Sequence, residues 1–81
     1  MNLYLISQDE NDDWDTYDNA VVAAMSEDEA RTIHPNGDGT LLVGKMGTWC
    51  SSPDRVVVTL IGTAVDGTKA GTVICASFNA G

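Results

Sequence analysis

The first candidate for chemistry is a run of oxygen-bearing side chains near the N-terminus. Asp9, Asn11, Asp13 and Asp15 alternate along the chain as the calcium ligands of an EF-hand loop do. Such a loop needs glycine at its sixth position and glutamate at its twelfth, and counted from Asp9 these positions hold tryptophan and alanine. The pattern therefore fails as an EF-hand. We expect no metal ion and no other cofactor, and a looser divalent-cation site is the alternative that stays open.

Histidine and cysteine offer the second candidate, a nucleophile with a general base. His34 is the only histidine and stands before Pro35, at a predicted helix end where histidine commonly interacts with terminal carbonyls. Cys75 lies among apolar residues and is predicted to belong to the core, whereas Cys50, beside Trp49 in a loop, is predicted to be more exposed. Neither has the basic neighbours that activate a thiolate. Spacing leaves a Cys–His pair open, but we predict two thiols without a disulfide and a protein that is not an enzyme.

Negative charge is the strongest departure in composition. Twelve acidic residues face four basic ones, and the formal net charge is −8. Half of the acids lie between positions 9 and 18, and three more open a predicted helix. A surface of this kind repels nucleic acid and anionic membranes and attracts basic proteins. The predicted partner-binding residues are Asp9, Glu10, Asp12, Asp13, Trp14, Asp15, Tyr17, Asp18, Glu27 and Asp28.

The partner predicted for this surface is a protein that handles nucleic acid. Regularly placed carboxylates can stand in for a phosphate backbone and pair with the arginines and lysines that hold DNA or RNA. Trp14 and Tyr17 either fold down onto the domain or serve as aromatic anchors for the partner, and the sequence leaves both interpretations open. Direct binding of nucleic acid by this chain is not expected, because its four basic residues are scattered.

A strand that runs into a capped helix is the central positioning element. The apolar run over residues 20–24 is too short for a core helix and favours a strand. Ser26 and Glu29 have the spacing of a capping box, in which each side chain accepts a hydrogen bond from the backbone amide of the other. A helix over residues 27–33 follows, ended by a proline. The residues that this helix is predicted to bury against a sheet are Ala30 and Ile33.

Further apolar runs predict the rest of the sheet. A strand over residues 3–6 is apolar on both faces, which favours the interior of the sheet and an antiparallel hairpin with residues 20–24. Residues 55–61 are dense in β-branched side chains and form the best strand candidate in the chain. We predict that they pair with a last strand over residues 72–78 through a tight Asp-Gly turn. A short strand is predicted over residues 41–43.

Together these elements predict an α+β fold. Residues 1–81 form a single small domain, with a four- to five-stranded, mostly antiparallel sheet in the order β-β-α-β-β-β and one short helix on one face. No apolar run approaches the ~20 residues that span a bilayer. The N-terminus has no basic region typical of a signal peptide, so we expect a cytoplasmic protein without membrane contact.

Several segments carry a family resemblance, which covers about half of the chain and brings no catalytic motif. They resemble small phage and prophage proteins, and small, acidic, single-domain phage proteins in turn resemble anti-CRISPR and other anti-defence inhibitors. The resemblance implies a DNA-mimicking protein in the cytoplasm of a bacterial host, which binds a Cas effector or another nuclease complex and blocks it. The segments are residues 3–8, 15–18, 20–24, 29–31, 34–35 and 73–81.

Two alternatives stay open beside the inhibitor hypothesis. The chain is also compatible with a phage or bacterial accessory protein that binds another host protein or assembles with itself, without enzymatic activity. Residues 55–61 and the last strand would then offer a homodimer edge. A small enzyme or ligand-binding module is the weaker alternative, because no catalytic triad, metal cluster or phosphate loop supports it.

Overall fold

A computed structural model of the chain describes residues 1–9, 16–35, 49–50 and 53–79. Within these residues, four strands and one short helix confirm the predicted α+β class. The predicted strand over residues 41–43 lies outside the described ranges. The elements are β1 (Asn2–Ser7), β2 (Thr16–Ala24), α1 (Glu27–Arg31), a 3-10 turn (Pro53–Arg55), β3 (Val57–Thr63) and β4 (Val73–Asn79).

The sheet is antiparallel throughout, with the strand order β3-β1-β2-β4. β1 and β2 form a hairpin at its centre, in register from Asn2 opposite Ala24 to Ser7 opposite Asn19. The prediction of a first strand inside the sheet is confirmed, and so is its antiparallel pairing with the second. Both follow from strands that carry apolar side chains on two faces, because such strands gain most when neighbours flank them on both sides.

The predicted hairpin between the last two strands is wrong. β3 pairs with β1 and β4 pairs with β2, so the two strands lie at opposite edges of the sheet. Residues 64–72 cross the end of the central hairpin, where the Gly71 N–H donates to the Ala23 carbonyl over 2.8 Å. The Asp-Gly turn does form, with Gly67 at a φ of 91°. A tight turn reverses the chain locally, but it does not decide which strands become neighbours.

The helix cap follows the predicted capping box in one half and departs from it in the other. The Ser26 hydroxyl accepts from the Glu29 N–H over 3.2 Å, as predicted. The Glu29 carboxylate, however, accepts from the Met25 N–H over 2.9 Å instead of from Ser26. Ser26 is extended, with φ −152° and ψ 165°, and the glutamate side chain reaches past it. α1 ends at Arg31, earlier than predicted, because Thr32 turns both its N–H and its hydroxyl to the Glu29 carbonyl.

The hydrophobic core lies on the face of the sheet that α1 covers. The predicted burial of Ala30 and Ile33 is confirmed, and the segment around Trp49 closes the core beside them. Full burial of each large aliphatic side chain stabilises the fold by about 1.5–3 kcal/mol. The core residues are Tyr4, Ile6, Ala20, Val22, Ala24, Ala30, Ile33, Trp49, Cys50 and Val56.

The opposite face of the sheet is more open. Leu3, Leu5 and Val21 point to this side and are half-buried, and the described residues place no second layer over them. Among the described residues, only the crossing segment over residues 64–72 covers an end of this face, where Ala23 is buried. The described residues therefore form a two-layer arrangement with one covered and one open sheet face.

Candidate protein-binding surfaces

The central hairpin brings two of the predicted acidic residues together at one end of the sheet. The Gln8 N–H donates to the Asp18 carbonyl over 3.3 Å, and the Gln8 side-chain amide donates to the Tyr17 carbonyl over 3.0 Å. These bonds hold the ends of β1 and β2 side by side. The Asp9 and Asp18 side chains are exposed there, so this end of the domain presents negative charge to solvent.

Chain connectivity adds more charge to the same end. Five of the predicted partner-binding residues lie in the segment over residues 10–15, outside the described residues, and four of them are acidic. In the sequence this segment joins Asp9 to Thr16, the described residues on either side of it. The undescribed predicted residues are Glu10, Asp12, Asp13, Trp14 and Asp15.

The acidic residues of the helix form a separate group. Glu27 pairs with Arg31 one turn later, over 2.9 Å, and this exposed pair contributes about 0.3–0.5 kcal/mol at most. Asp28 is exposed beside it. Asp18 and Ala24 are six positions apart on β2, which at ~3.3 Å per residue separates them by about 20 Å. The described acids of the predicted site therefore leave β2 from its two ends, Asp18 near its start and the helix acids after its last residue.

Tyr17 belongs to an aromatic cluster at the hairpin end. Its ring centroid lies 4.8 Å from that of Phe78 and 5.9 Å from that of His34. His34 in turn meets Trp49 edge-on at 6.4 Å. The sequence leaves open whether Tyr17 packs onto the domain or serves as an anchor for a partner. In the structure its ring packs onto the domain. The ring remains half-buried, so one side of it stays available at the surface.

The candidate nucleophiles are not where the sequence predicts them. Cys50 is buried at 4% exposure, because it follows Trp49 into the core. Cys75 is exposed, because its strand lies at the edge of the sheet and its side chain shares the open face with Val21. Both predictions are wrong. For Cys75, an apolar run identifies a strand but not its position in the sheet, and for Cys50, a place outside the regular elements does not decide whether a side chain packs into the core. Neither cysteine forms a disulfide.

The described residues offer little for catalysis. His34 and Cys50 are both buried, so a nucleophile built from them would have no access to a substrate. In the described ranges, no buried side-chain polar atom lacks a hydrogen-bond partner, and no three His, Cys, Asp or Glu side chains are grouped to hold a metal ion. No helix in the same ranges has the length and apolar character needed to traverse a bilayer.

Exposed apolar side chains concentrate on the edge strands and on the segment between them. A shallow cleft of about 200 Å³ lies there, smaller than the ~300–1,000 Å³ of typical small-molecule sites. The sequence carries a signal for this surface, since residues 56–65 contain no charge in a chain where 20% of residues are charged. The exposed large apolar residues of this region are Val57, Leu60, Ile61, Val65, Ile74 and Phe78.

Comparisons with known protein families, with curated proteins and with solved structures find no match. The resemblance to phage inhibitors therefore stays a prediction from the sequence. Function is inferred below from the charge, burial and strand pairing of this chain alone.

Proposed function

We propose that this protein is a stoichiometric inhibitor of the anti-CRISPR type, acting in the cytoplasm of a bacterial host. Its acidic hairpin end would occupy a basic, nucleic-acid-binding region of a Cas effector or another nuclease complex. One observation carries the proposal: β1 and β2 hold Asp9 and Asp18, both exposed, at the two ends of a short segment with four further acids. Six carboxylates are thereby tethered to one end of a small domain.

The density of this charge supports mimicry of a nucleic acid. Duplex DNA carries one phosphate charge per ~1.7 Å of helix axis, so six phosphates occupy about 10 Å. The six carboxylates of residues 9–18 fall within ten consecutive residues of the chain. A partner that holds a phosphate backbone with arginines and lysines can hold this surface by the same charge-assisted hydrogen bonds.

An inhibitor that acts by binding does not have to catalyse a chemical step. The buried positions of His34 and Cys50 favour a role in the fold over one in chemistry. The exposed half of the Tyr17 ring can supply apolar contact at the margin of the acidic surface, where aromatic residues commonly contribute most of the binding energy. The inhibitor would therefore act without a cofactor and in proportion to its concentration.

A cleavage assay with purified Cas effectors of several types tests the proposal. The triple variant Asp12→Asn, Asp13→Asn, Asp15→Asn removes half of the hairpin charge, and we expect at least ~10-fold weaker inhibition from the lost charge pairing. The matched control is Glu27→Gln with Asp28→Asn at the other end of β2, for which we expect less than ~2-fold change. Rising salt should weaken the native inhibitor more than the triple variant.

Three outcomes would contradict the proposal at different levels. Equal inhibition by the native protein and the triple variant would reject the electrostatic mechanism, although the protein would still be an inhibitor. Failure to inhibit any effector or nuclease in the panel would reject the proposal that the protein is an anti-defence inhibitor. Loss of inhibition in the helix control alone would move the interface to α1.

A second candidate function is favoured by the exposed apolar side chains of the edge strands. An accessory protein that binds another host protein, or assembles with itself, would use these strands instead of the acidic end. The identity of the bound partner separates the two candidates. A partner without a basic surface, recovered equally by the native protein and the triple Asp→Asn variant, would favour the accessory protein.

A further inference from the structure

The outer edge of β3 has the features of an interface. Within the described residues, no strand pairs with this edge, because β3 pairs only with β1. Three of its seven residues are large apolar side chains in solvent: Val57 is 59% exposed, Leu60 61% and Ile61 51%. An edge strand of this composition invites pairing with another strand.

Proteins commonly protect such edges, and β3 carries only part of the usual protection. Charged side chains, particularly lysine, and proline are the common devices that keep a free edge from pairing. β3 contains neither, and the nearest charges along the chain are Arg55 and Asp66. β3 does carry a bulge at Ile61, because Leu3 pairs with Gly62 and Tyr4 with Leu60. Residues 57–60 pair with β1 without a shift, so the bulge leaves most of the strand regular.

We infer that β3 pairs antiparallel with β3 of a second copy of this chain, about a two-fold axis at Thr59, so that two sheets join into one of eight strands. Antiparallel pairing of a strand with itself is compatible with the two-fold symmetry of a homodimer. In this register Val58 lies opposite the second copy's Leu60, and Val57 opposite its Ile61. The inference is independent of the inhibitor proposal and goes beyond it.

The side chains agree with this register. Val58 and Leu60 pair with Ile6 and Tyr4 of β1, which are core residues, so both point to the helix-covered side of the sheet. Their pairing across the axis would extend the hydrophobic core from one copy into the other. Cross-strand pairs of β-branched and other apolar residues each contribute roughly 0.2–1 kcal/mol relative to alanine pairs. Apolar residues of β3 that face apolar residues of the second copy's β3 therefore favour the proposed register.

Charge favours a second copy over a basic partner at this edge. The chain has a formal net charge of −8, but none of it lies on β3, so electrostatic attraction of a basic protein is directed elsewhere. Arg55 and Asp54 lie in the 3-10 turn that precedes β3, outside the strands that would pair. No like charges face one another along the paired strands, although the two copies repel at long range.

The other edge is less suited to self-pairing. β4 is also free of charge, but the middle of the strand is Cys75, Ala76 and Ser77, all of them small. Self-pairing there would cover only two exposed large apolar side chains per copy, Ile74 and Phe78. β4 therefore provides a matched control for β3.

The oligomeric state as a function of concentration is the first test. One seven-residue strand per copy makes a small interface, so we expect a weak dimer. Sedimentation and light scattering from ~1 μM to ~1 mM should show a monomer converting to a dimer, with no larger species. Leu60→Lys should raise the dimer Kd at least ~100-fold, because each dimer would place two charges at the interface. Ile74→Lys on β4 should change it less than ~3-fold.

Cysteine cross-linking tests the register. Thr59→Cys in a Cys75→Ser background places two thiols at the two-fold axis, where Cβ atoms of facing residues lie ~4.5–5.5 Å apart and small shifts allow a disulfide. Oxidation should give a covalent dimer at concentrations where the native protein dimerises. Thr63→Cys in the same background lies at the end of β3, away from the axis, and should remain uncross-linked.

Several outcomes would overturn the inference. A monomer throughout the concentration range would do so, and amide hydrogens of β3 that are protected in that monomer would assign the edge to residues 36–48 of the same chain. Disruption by Ile74→Lys but not by Leu60→Lys would assign the dimer to β4. Equal cross-linking of the Thr59 and Thr63 variants would reject the register.

Discussion

The two central strands and the two edge strands of this sheet are built from similar residues and differ sharply in burial. Ile6 of β1 is fully buried, whereas Ile61 of β3 is 51% exposed. All four strands contain β-branched or aromatic side chains, which is sufficient to explain why each is extended. Apolar composition therefore favours formation of a strand, whereas the neighbouring strands and the layer packed over it decide whether its side chains are buried.

The strongest way to sharpen this comparison is to truncate the same side chain in both regions. Ile6→Ala should lower the free energy of unfolding by about 2–5 kcal/mol, because it removes buried methyl groups and leaves a cavity. Ile61→Ala should stay within about 0.5 kcal/mol of the native protein when measured at low concentration. Chemical denaturation followed by tryptophan fluorescence provides both values. A loss above ~1 kcal/mol for Ile61→Ala would mean that β3 is covered within one copy.

The two cysteines give a second comparison, of core against edge, without any mutation. Cys75 is exposed on β4 and Cys50 is buried beside Trp49. In native buffer, one thiol per chain should react with a thiol reagent at least ~100-fold faster than the other, since Cys50 requires local opening. Mass spectrometry of the labelled peptides identifies which thiol reacted. Comparable rates would contradict the burial of the segment that carries Cys50.

The smallest expected effect compares a serine that caps α1 with a serine on the edge. Ser26→Ala removes the hydroxyl that accepts from the Glu29 N–H, and we expect a loss of about 1 kcal/mol in the free energy of unfolding. Ser77→Ala on exposed β4 is the control and should change stability by less than about 0.5 kcal/mol. Thermal unfolding of the two variants is enough to separate them. Equal destabilisation would argue that the cap contributes nothing specific.

Local signals made the central part of the fold predictable. The hairpin of β1 and β2 follows from two neighbouring apolar runs, and the start of α1 follows from the spacing of Ser26 and Glu29. These features depend on residues close in sequence, for which propensity and hydrogen-bonding patterns are informative.

Long-range pairing was not predictable in the same way. The Asp-Gly turn favours a hairpin of β3 with β4, but each strand gains a more extensive partner in the central hairpin. The misplaced Cys75 follows from the same error, because its exposure depends on the position of β4 at an edge of the sheet. For the candidate acidic site, the sequence predicted which residues carry the charge but not how they are arranged in space. Its division between the hairpin end and α1 depends on the length of β2, about 20 Å between Asp18 and Ala24.

The position of the hairpin in the middle of the sheet also has a consequence for the order of folding. Ile6 pairs with Ala20 on one side, a nearby residue, and with Val58 on the other, across most of the chain. Closing the shorter loop costs less chain entropy, so the middle of the sheet is expected to form before its edges. By the same reasoning the edges are released first on unfolding. The edge strands β3 and β4 are therefore expected to be the last to pair during folding and the first to separate during unfolding.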